Sequence, residues 1–555
     1  MIPRGSLTKV TILLLVTGAA LSNFGGIGGA STTPVSDNAK TLFVSVPGPF
    51  NGCSFLDSGA TPTSNAVLDL LRPSAFQTTT SGNLVGEGGP IAAAELTSLQ
   101  PETIVYTISA HQHWSSGLSF NGTDLIDWWQ RARTKASIQS DGYRSIKSMT
   151  LSGDGLSVTA VFAAPYADWN QLFRDVDARG TTAGCAITNL MRRPSLGPYL
   201  VKSATASRVV LAMNPKWPLD ANRYGRVVLT TGGEIPAKSS TPFANYTLQV
   251  DRAQAQSIGA HPTILSHIGT SSEVVILSFA PKGPLTSARI LRQALSWSLD
   301  RQALINKLWG SVTFSPSVAV SALYAQGENA YPGVSGPGPS TQPAKTTTTL
   351  PGLVTTPPGL SDCLACAYQA LKSAGYHRKG GRWLDVHQVP LVIHMAIGPS
   401  SIDRATSVQV RRQWANAGIG TIVTSAASDA SAAVKSATNG VDVALFVKPI
   451  LTSPSFAARS WSGTPFLDSY GSGFRSATIN ALFNQAISNF NPVAATTTWL
   501  LLDQAVMKSY WVRPLFTAPS IVEWGNAVSG VTGSLSIPGF LDQVTSWNTA
   551  PPITN

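Results

Sequence analysis

ARILRQALSWSLDRQALINKLWG, residues 288–310, reads as a helix, a capped break and a second helix. Leu291, Ala294 and Leu295 recur at helical spacing, and Trp297 and Leu299 continue the apolar run. Asp300 then stands where a carboxylate can accept the free amides of a new helix, so the pattern predicts a turn holding Arg301 to Leu304. Upstream, residues 273–279 alternate into Pro281 as a strand. Downstream, residues 331–358 lose all periodicity in runs of Gly, Pro and Thr, which predicts a long exposed loop. Beyond the loop, AYQALKSAGYHRKGGRW begins as a helix, 390–397 reads as a strand, and VQVRRQWANAGIGTIV is a helix closing near Gly418 before another strand. Helix and strand alternate here, the signature of an α/β lobe.

The first half adds further signals. Residues 41–46 form a short strand, and Thr61 with Pro62 behind it supplies a helix cap and a first-turn proline. A strand at 103–108 leads into HQHWSSGLSFNGTDLIDWW, where Trp114 and Gly117 mark a turn, Asn121 caps a helix, and Asp124 completes a capping-box arrangement. Leu196-Gly197-Pro198-Tyr199-Leu200 turns the chain, followed by Val209 to Leu211 and Asn214-Pro215.

In this order the motifs resemble those of the family 5 extracellular solute-binding proteins, the dipeptide and oligopeptide receptors of ABC importers. ARILRQALSWSLDRQALI is similar to the family's "vRqAlsyAiDRqaiv", the Trp114 to Trp129 segment to its "kWhDGtPltAaDvvfsw", and LGPYL with Asn214-Pro215 to "GtGPYkl...vvlerNpdYw". The LLRPSAF run at 70–76 resembles actinobacterial members. The resemblance runs from Thr41 to Trp547 and implies an α/β fold of the type II periplasmic-binding-protein kind, two hinged lobes with an extra small lobe. Carried over, lobe I is 38–75, 197–275 and 513–555, lobe II is 76–196, and lobe III is 276–512 with the 331–358 loop. It further implies capture of a solute outside the membrane by a monomer that works with ABC permease subunits, without cofactor or catalysis.

Composition agrees with export. Of 555 residues only 12% are charged, about half the usual share, while small and hydroxyl residues abound. Arg4 and Lys9 precede an apolar run at 10–21, and Gly28-Gly29-Ala30 offers a cleavage site, so 1–30 reads as a signal peptide; the alternative is an uncleaved anchor at 10–30. No cysteine follows the apolar run, which argues against a lipid anchor. The net charge of +11 is scattered along the chain, in Arg192-Arg193, Arg411-Arg412 and His377-Arg378-Lys379, so nucleic-acid binding is not expected, and contact with an anionic envelope fits better. Four cysteines in an oxidising compartment read most economically as two disulfides, Cys53 with Cys185 and Cys363 with Cys366; the CxxC at a helix start leaves a thiol redox reading open.

For chemistry the chain offers little: no GxSxG, HExxH, phosphate-binding or dinucleotide motif is present. His111 and His113 are the only close histidine pair among seven, and they read as exposed or structural. For binding it offers fourteen tryptophans, some of which can line a cleft. Peptide receptors of the family carry a strand like "fDmallgW" followed by an aspartate for the peptide's ammonium. Here VDVALF at 441–446 continues as Val447-Lys448-Pro449, with no acid before Asp468. A buried ammonium without a carboxylate is costly, so Lys448 points away from an ordinary peptide and toward an anionic or hydroxyl-rich ligand, such as a glycolipid headgroup. The candidate ligand contacts are Phe446, Lys448, Trp461 and Trp114. A role in phosphatidylinositol mannoside and lipoarabinomannan assembly on the same scaffold is the alternative function.

Overall fold

The computed structural model describes residues 40–549 except 58, 81–83, 87, 136–139, 182–183, 218–223, 233–240, 259–262, 311, 313, 315, 327–329, 333–361, 438–440, 451–452 and 462–475. The proposed signal peptide at 1–30 and nearly all of the 331–358 loop lie outside the described residues.

Ten strands form one mixed sheet. Their order is Gly420–Ser425, Val392–Ile397, Val443–Pro449, Ile264–Phe279, Val512–Gly525, Phe243–Leu248, Thr41–Val46, Arg226–Thr231, Arg208–Met213 and Tyr199–Ala204. At one end, Val392–Ile397 is parallel to both Gly420–Ser425 and Val443–Pro449. At the other, Thr41–Val46 is parallel to Arg226–Thr231 and Phe243–Leu248. Two long antiparallel strands join these ends. Ile264–Phe279 pairs with Val443–Pro449 only through 273–279, and Val512–Gly525 pairs with Phe243–Leu248 only through 520–524. Between them the ladder slips at 270–274, where a bulge interrupts the register.

The expected 273–279 strand is thus the second half of a longer one. Its first half, ILSHIGTSS, is polar and half exposed, so it lacks the buried alternation that marks a strand in sequence. The YWVRPLF stretch likewise divides: Tyr510 ends the preceding helix in the left-handed region, and the strand starts at Val512. Elsewhere the caps form as their residues dictate. Asp300 accepts the Ala303 amide at 2.8 Å and opens Arg301–Trp309, which runs on past the Arg301 to Leu304 turn it was expected to hold. Thr61 and Pro62 open Pro62–Asp69. Asn121 and Asp124 close a reciprocal capping box, and Asp124 also receives Trp114 Nε1 at 3.3 Å and the Arg179 amide at 3.2 Å. Losing such a cap costs ~1 kcal/mol.

A separate four-stranded antiparallel sheet, Ile91–Leu99, Glu102–Ile108, Ser157–Phe162 and Ile146–Leu151, packs against Gly122–Ala132. Its interior, with Ile104, Tyr106, Trp114 and Trp128, is continuous with the apolar core around Val443–Pro449. Leu42, Val44, Val67, Leu211, Leu229 and Trp547 form a second core beneath the other end of the large sheet. Cys53 is bonded to Cys185, tying the loop after the first strand to the chain that leaves the four-stranded sheet, and Cys363 is bonded to Cys366.

Several carboxyl groups are buried within these cores. Burial pushes Asp503 up to about 7, against the lowering effect of hydrogen bonds from the Ala322 amide, Ser321 and the Leu323 amide. Burial also pushes Glu273 up to about 7, opposed by a hydrogen bond with Gln249 and aided by Asp403. Between the ordinary carboxyl range and these raised values the folded chain holds more protons than the unfolded one, so stability falls as pH rises through that window. Melting followed at constant ionic strength should show a lower Tm at pH 8 than at pH 5. E273Q should flatten part of that slope, and a Tm rising across the window would contradict the assignment.

Candidate functional site

Three parallel strands, Val392–Ile397, Gly420–Ser425 and Val443–Pro449, end at the same edge of the large sheet. In open α/β sheets the carboxyl ends of parallel strands are where ligand crevices form, because the chain must turn away there into helices. The turn after Val392–Ile397 passes through Gly398 to Ser400. Ser400 caps Ser401–Ala417 in a capping box with Asp403. Asp429 opens Asp429–Ala437 after the next strand. The two carboxyl groups meet: Asp403 and Asp429 hydrogen-bond side chain to side chain, which burial and mutual repulsion permit only if they share a proton, and both are raised accordingly. Gly398 is what lets them approach. A Cβ there would lie 2.0 Å from Asp429 Oδ1 and 2.4 Å from Asp403 Oδ2.

Lys448 and Pro449 end the third strand at this edge. Alternation places Phe446 and Lys448 on one face, opposite Ile276 and Val274 of the neighbouring strand, and Pro449 opposite Glu273. Phe446 is 1% exposed and Lys448 3%. Pro454–Arg459, capped by Ser453, covers that face: Lys448 Nζ donates to the Ala457 carbonyl at 3.5 Å and sits 4.5 Å from the centre of the Trp461 ring. A cation over an indole face is attracted by the ring's quadrupole. Phe446, Lys448 and Trp461 thus belong to one region around Pro454–Arg459. Trp114 does not join them; it is buried beside the four-stranded sheet, edge-on to Phe120 with its N–H on Asp124. His111 and His113 are exposed, and His113 Nδ1 lies 2.9 Å from the His111 carbonyl.

The bulge in the long strands lies at this same edge. Ser271 Oγ donates to the Ala518 carbonyl at 2.7 Å and accepts the Glu273 amide at 3.1 Å. The Ser272 amide donates to Leu535 O, and its carbonyl accepts the Ile450 amide, both at 2.6 Å. One residue therefore bridges the C-terminal segment and the end of the Lys448 strand.

Helix Pro454–Arg459 also meets the region of the four-stranded sheet. Ser453 Oγ donates to Asp168 Oδ2 at 2.5 Å, the Ala167 amide donates to Ile487 O at 2.6 Å, and Arg459 pairs with Asp141 while lying over Phe483. Burial raises Asp168, opposed by hydrogen bonds from Ser453 and Ser455. Sequence reading singled out none of Glu273, Asp168, Asp141, Ser453 or Arg459. Ser453-Pro454 was open to recognition as a cap followed by a first-turn proline; the others are joined across distances that no local pattern encodes.

With this geometry in view, the comparisons with known proteins decide the family. A model described as "Bacterial extracellular solute-binding proteins, family 5 Middle" matches residues 90–471, more than half of the chain. The chain belongs to that family. The oligopeptide-binding protein OppA of Mycobacterium tuberculosis is 25% identical over 292 residues, 49% of each chain, so the match spans about half the length of this curated relative. A probable monoacyl phosphatidylinositol tetramannoside-binding protein, LpqW, of the same organism is 27% identical over 126 residues, 21% of this chain and 20% of its own. Among solved structures, the periplasmic EDTA-binding protein EppA superposes with a TM-score of 0.74 at 18% identity, covering 94% of this chain and 100% of that one. NikZ from Campylobacter jejuni, in complex with Ni(L-His), superposes at 0.71 with 15% identity, covering 92% and 99%. These likenesses carry the fold: it is the type II periplasmic-binding-protein architecture of family 5.

The contact of Arg459 with Asp141 is testable by a double-mutant cycle. R459M removes the guanidinium that pairs with Asp141 and lies over Phe483, and D141N removes only the pairing, so the cycle isolates the pair from the ring contact. Coupling measured by denaturant unfolding should reach ~1 kcal/mol or more, as for a largely desolvated ion pair. Additive single effects would show that the pair carries no energy.

Proposed function

We propose that this family 5 binding protein is the extracytoplasmic receptor of an ABC importer, and that its cargo is anionic or hydroxyl-rich rather than an ordinary peptide. The lobes read from the sequence, 38–75 with 197–275 and 513–555 on one side and 276–512 on the other, pivot on the two long strands where they cross at 270–274. The observation that carries this reading is the coincidence of that bulge, the carboxyl ends of three parallel strands, and a buried lysine at one edge of the sheet. A solute drawn in there lies close to the positive charge of Lys448, which burial leaves weakly screened. Phe446 and Trp461 support that charge from beneath, and Trp114 contributes by holding the turn before Gly122–Ala132. In this reading the contacts of Asp168, Ala167 and Asp141 with the 453–487 region, the small lobe 76–196 meeting the large one, form when the molecule shuts.

Closing a mostly open population takes about 5 kcal/mol of differential affinity, and micromolar binding, about −8 kcal/mol, leaves room for it. A second reading, an envelope role in glycolipid assembly, rests on the short match to the tetramannoside-binding relative. Both readings place an anionic, hydroxyl-rich group in the same cleft.

Mass spectrometry of material that co-purifies with the exported protein identifies the cargo. Small-angle scattering with that cargo should give a smaller radius of gyration than without it; unchanged scattering at saturation would count against closure. K448M, which fills the same volume beneath Trp461, should weaken binding of an anionic cargo by about tenfold or more. Recovery of a peptide with a free amino end, bound equally by K448M, would overturn the assignment of cargo class.

A further inference from the structure

Residues 377–390 form a cationic and apolar knob on the surface, outside the region just described. His377–Lys379 and Arg382–Leu384 pair as a two-stranded hairpin around Gly380-Gly381, both with positive φ. Lys379 stands directly across from Arg382 beside the turn. Like charges in that position oppose strand pairing, so stability alone does not favour the choice. Arg378 is exposed and lies 5.0 Å over the Tyr368 ring. The hairpin is rooted by Trp383, which is buried and donates through Nε1 to the Ala417 carbonyl at 2.9 Å and through its amide to Gly418 O at 3.1 Å.

The following loop presents apolar groups on the same rigid base. Val386 is 73% exposed and Val389 55%. They are held there by Asp385, whose Oδ1 accepts the His387 amide at 2.9 Å and the Val389 amide at 2.8 Å, and by the Leu391 amide on Trp383 O at 2.8 Å. Asp385 is the one acidic residue of 377–390. Its hydrogen-bonding capacity at Oδ1 is committed to the loop backbone, and the remaining ionisable side chains, Arg378, Lys379 and Arg382 with His377 and His387, are all exposed.

We propose that this knob docks on the anionic lipid surface of the membrane, with the cations at the headgroups and the two valines at the acyl boundary. A bilayer fits better than a protein partner because the cations lie along a turn rather than around a pocket, and a diffuse negative field relieves the Lys379 to Arg382 repulsion without demanding fixed geometry. Long-range steering acts in the same sense, since the whole chain carries +11. Docking holds the receptor's body at the membrane whatever its cargo, so the inference stands apart from the ligand reading.

Co-sedimentation of the full chain with extruded vesicles tests it. Vesicles of phosphatidylcholine alone are compared with vesicles holding about one-third phosphatidylglycerol; because Arg4 and Lys9 beside the apolar run at 10–21 also favour anionic lipid, the knob variants are compared with the parent in the same full chain. Association with the anionic vesicles should exceed that with the neutral ones and be lost in high salt. K379E/R382E should reduce the excess tenfold or more, and V386S/V389S several-fold. K379E alone sets opposite charges across the turn, so it should melt no lower than the parent chain yet bind more weakly, which separates docking from folding. Equal binding by K379E/R382E and the parent chain, or no preference of the parent for anionic vesicles, would overturn the proposal; the second result would leave the knob to an acidic protein surface.

Discussion

The antiparallel pairing of Ile264–Phe279 with Val512–Gly525 is the constraint on which the rest of the large sheet hangs. Each strand is longer than its outer neighbour and pairs with that neighbour at only one end. Remove the pair, and the sheet falls into two pieces with nothing shared: one built on Thr41–Val46, the other on Val392–Ile397. The partners are more than two hundred residues apart, so the chain closes a very long loop to form them. Loop entropy grows only logarithmically with length, and the ladder that results is ample compensation. What the pair leaves weak is its middle. At 270–274 the register slips, and side-chain and turn hydrogen bonds from Ser271 and Ser272 replace the regular ladder. A sheet that bends must bend where its ladder is broken, which is why the crossing point and the pivot are the same place in our reading.

That edge also gathers charge. On one face of Val443–Pro449 the ammonium of Lys448 is held against an indole and a carbonyl; near the same edge Glu273, Asp403 and Asp429 are buried carboxyl groups with raised pKa values. Groups of this kind cost stability when they ionise out of contact with water. Three of them meet at the ends of the parallel strands, where in our reading a binding crevice borders the pivot. Glu102 and Asp503 show that buried carboxyl groups occur elsewhere too, so the argument rests on position together with the strand ends, not on titration.

Much of the architecture was legible because it is written in local chemistry. Asp300, Thr61 and the Asn121 and Asp124 pair announce helix starts, and Gly418 announces an end, since its φ of +89° admits few other residues. The ordered motifs carried the family. The first half of Ile264–Phe279 was hidden because its residues are half exposed and polar, leaving no alternation to read. Of the candidate contacts, Phe446 and Lys448 were readable from strand pattern and departure from the family's motif, while Trp461 stood out only as one of fourteen tryptophans. Their burial beneath Pro454–Arg459 was not, for it depends on how the helix folds back over the strand that precedes it. Trp114 was singled out as an aromatic near a turn; its indole N–H is taken up by Asp124, whose role as a cap was plain while its second bond was not. Contacts such as Ser453 with Asp168 join residues 285 positions apart and have no sequence signature.

Cargo choice in this fold rests on few residues, because little of the architecture touches the strand ends. Solved structures that share nearly the whole architecture at 15–18% identity are those of an EDTA-binding protein and of a complex with Ni(L-His). A scaffold of this size is maintained by several dozen buried apolar side chains, whereas cargo choice is set by the few groups that face the crevice. In our reading Lys448 is one such group: where the resemblance sets an uncharged aromatic ring, its ammonium adds a positive field. Held against an indole and a carbonyl beneath Pro454–Arg459, that charge is weakly screened, so in this reading it discriminates between cations and anions more sharply than a surface charge does. On that reading position 448 is where the cargo class is decided, although the fold itself is set elsewhere.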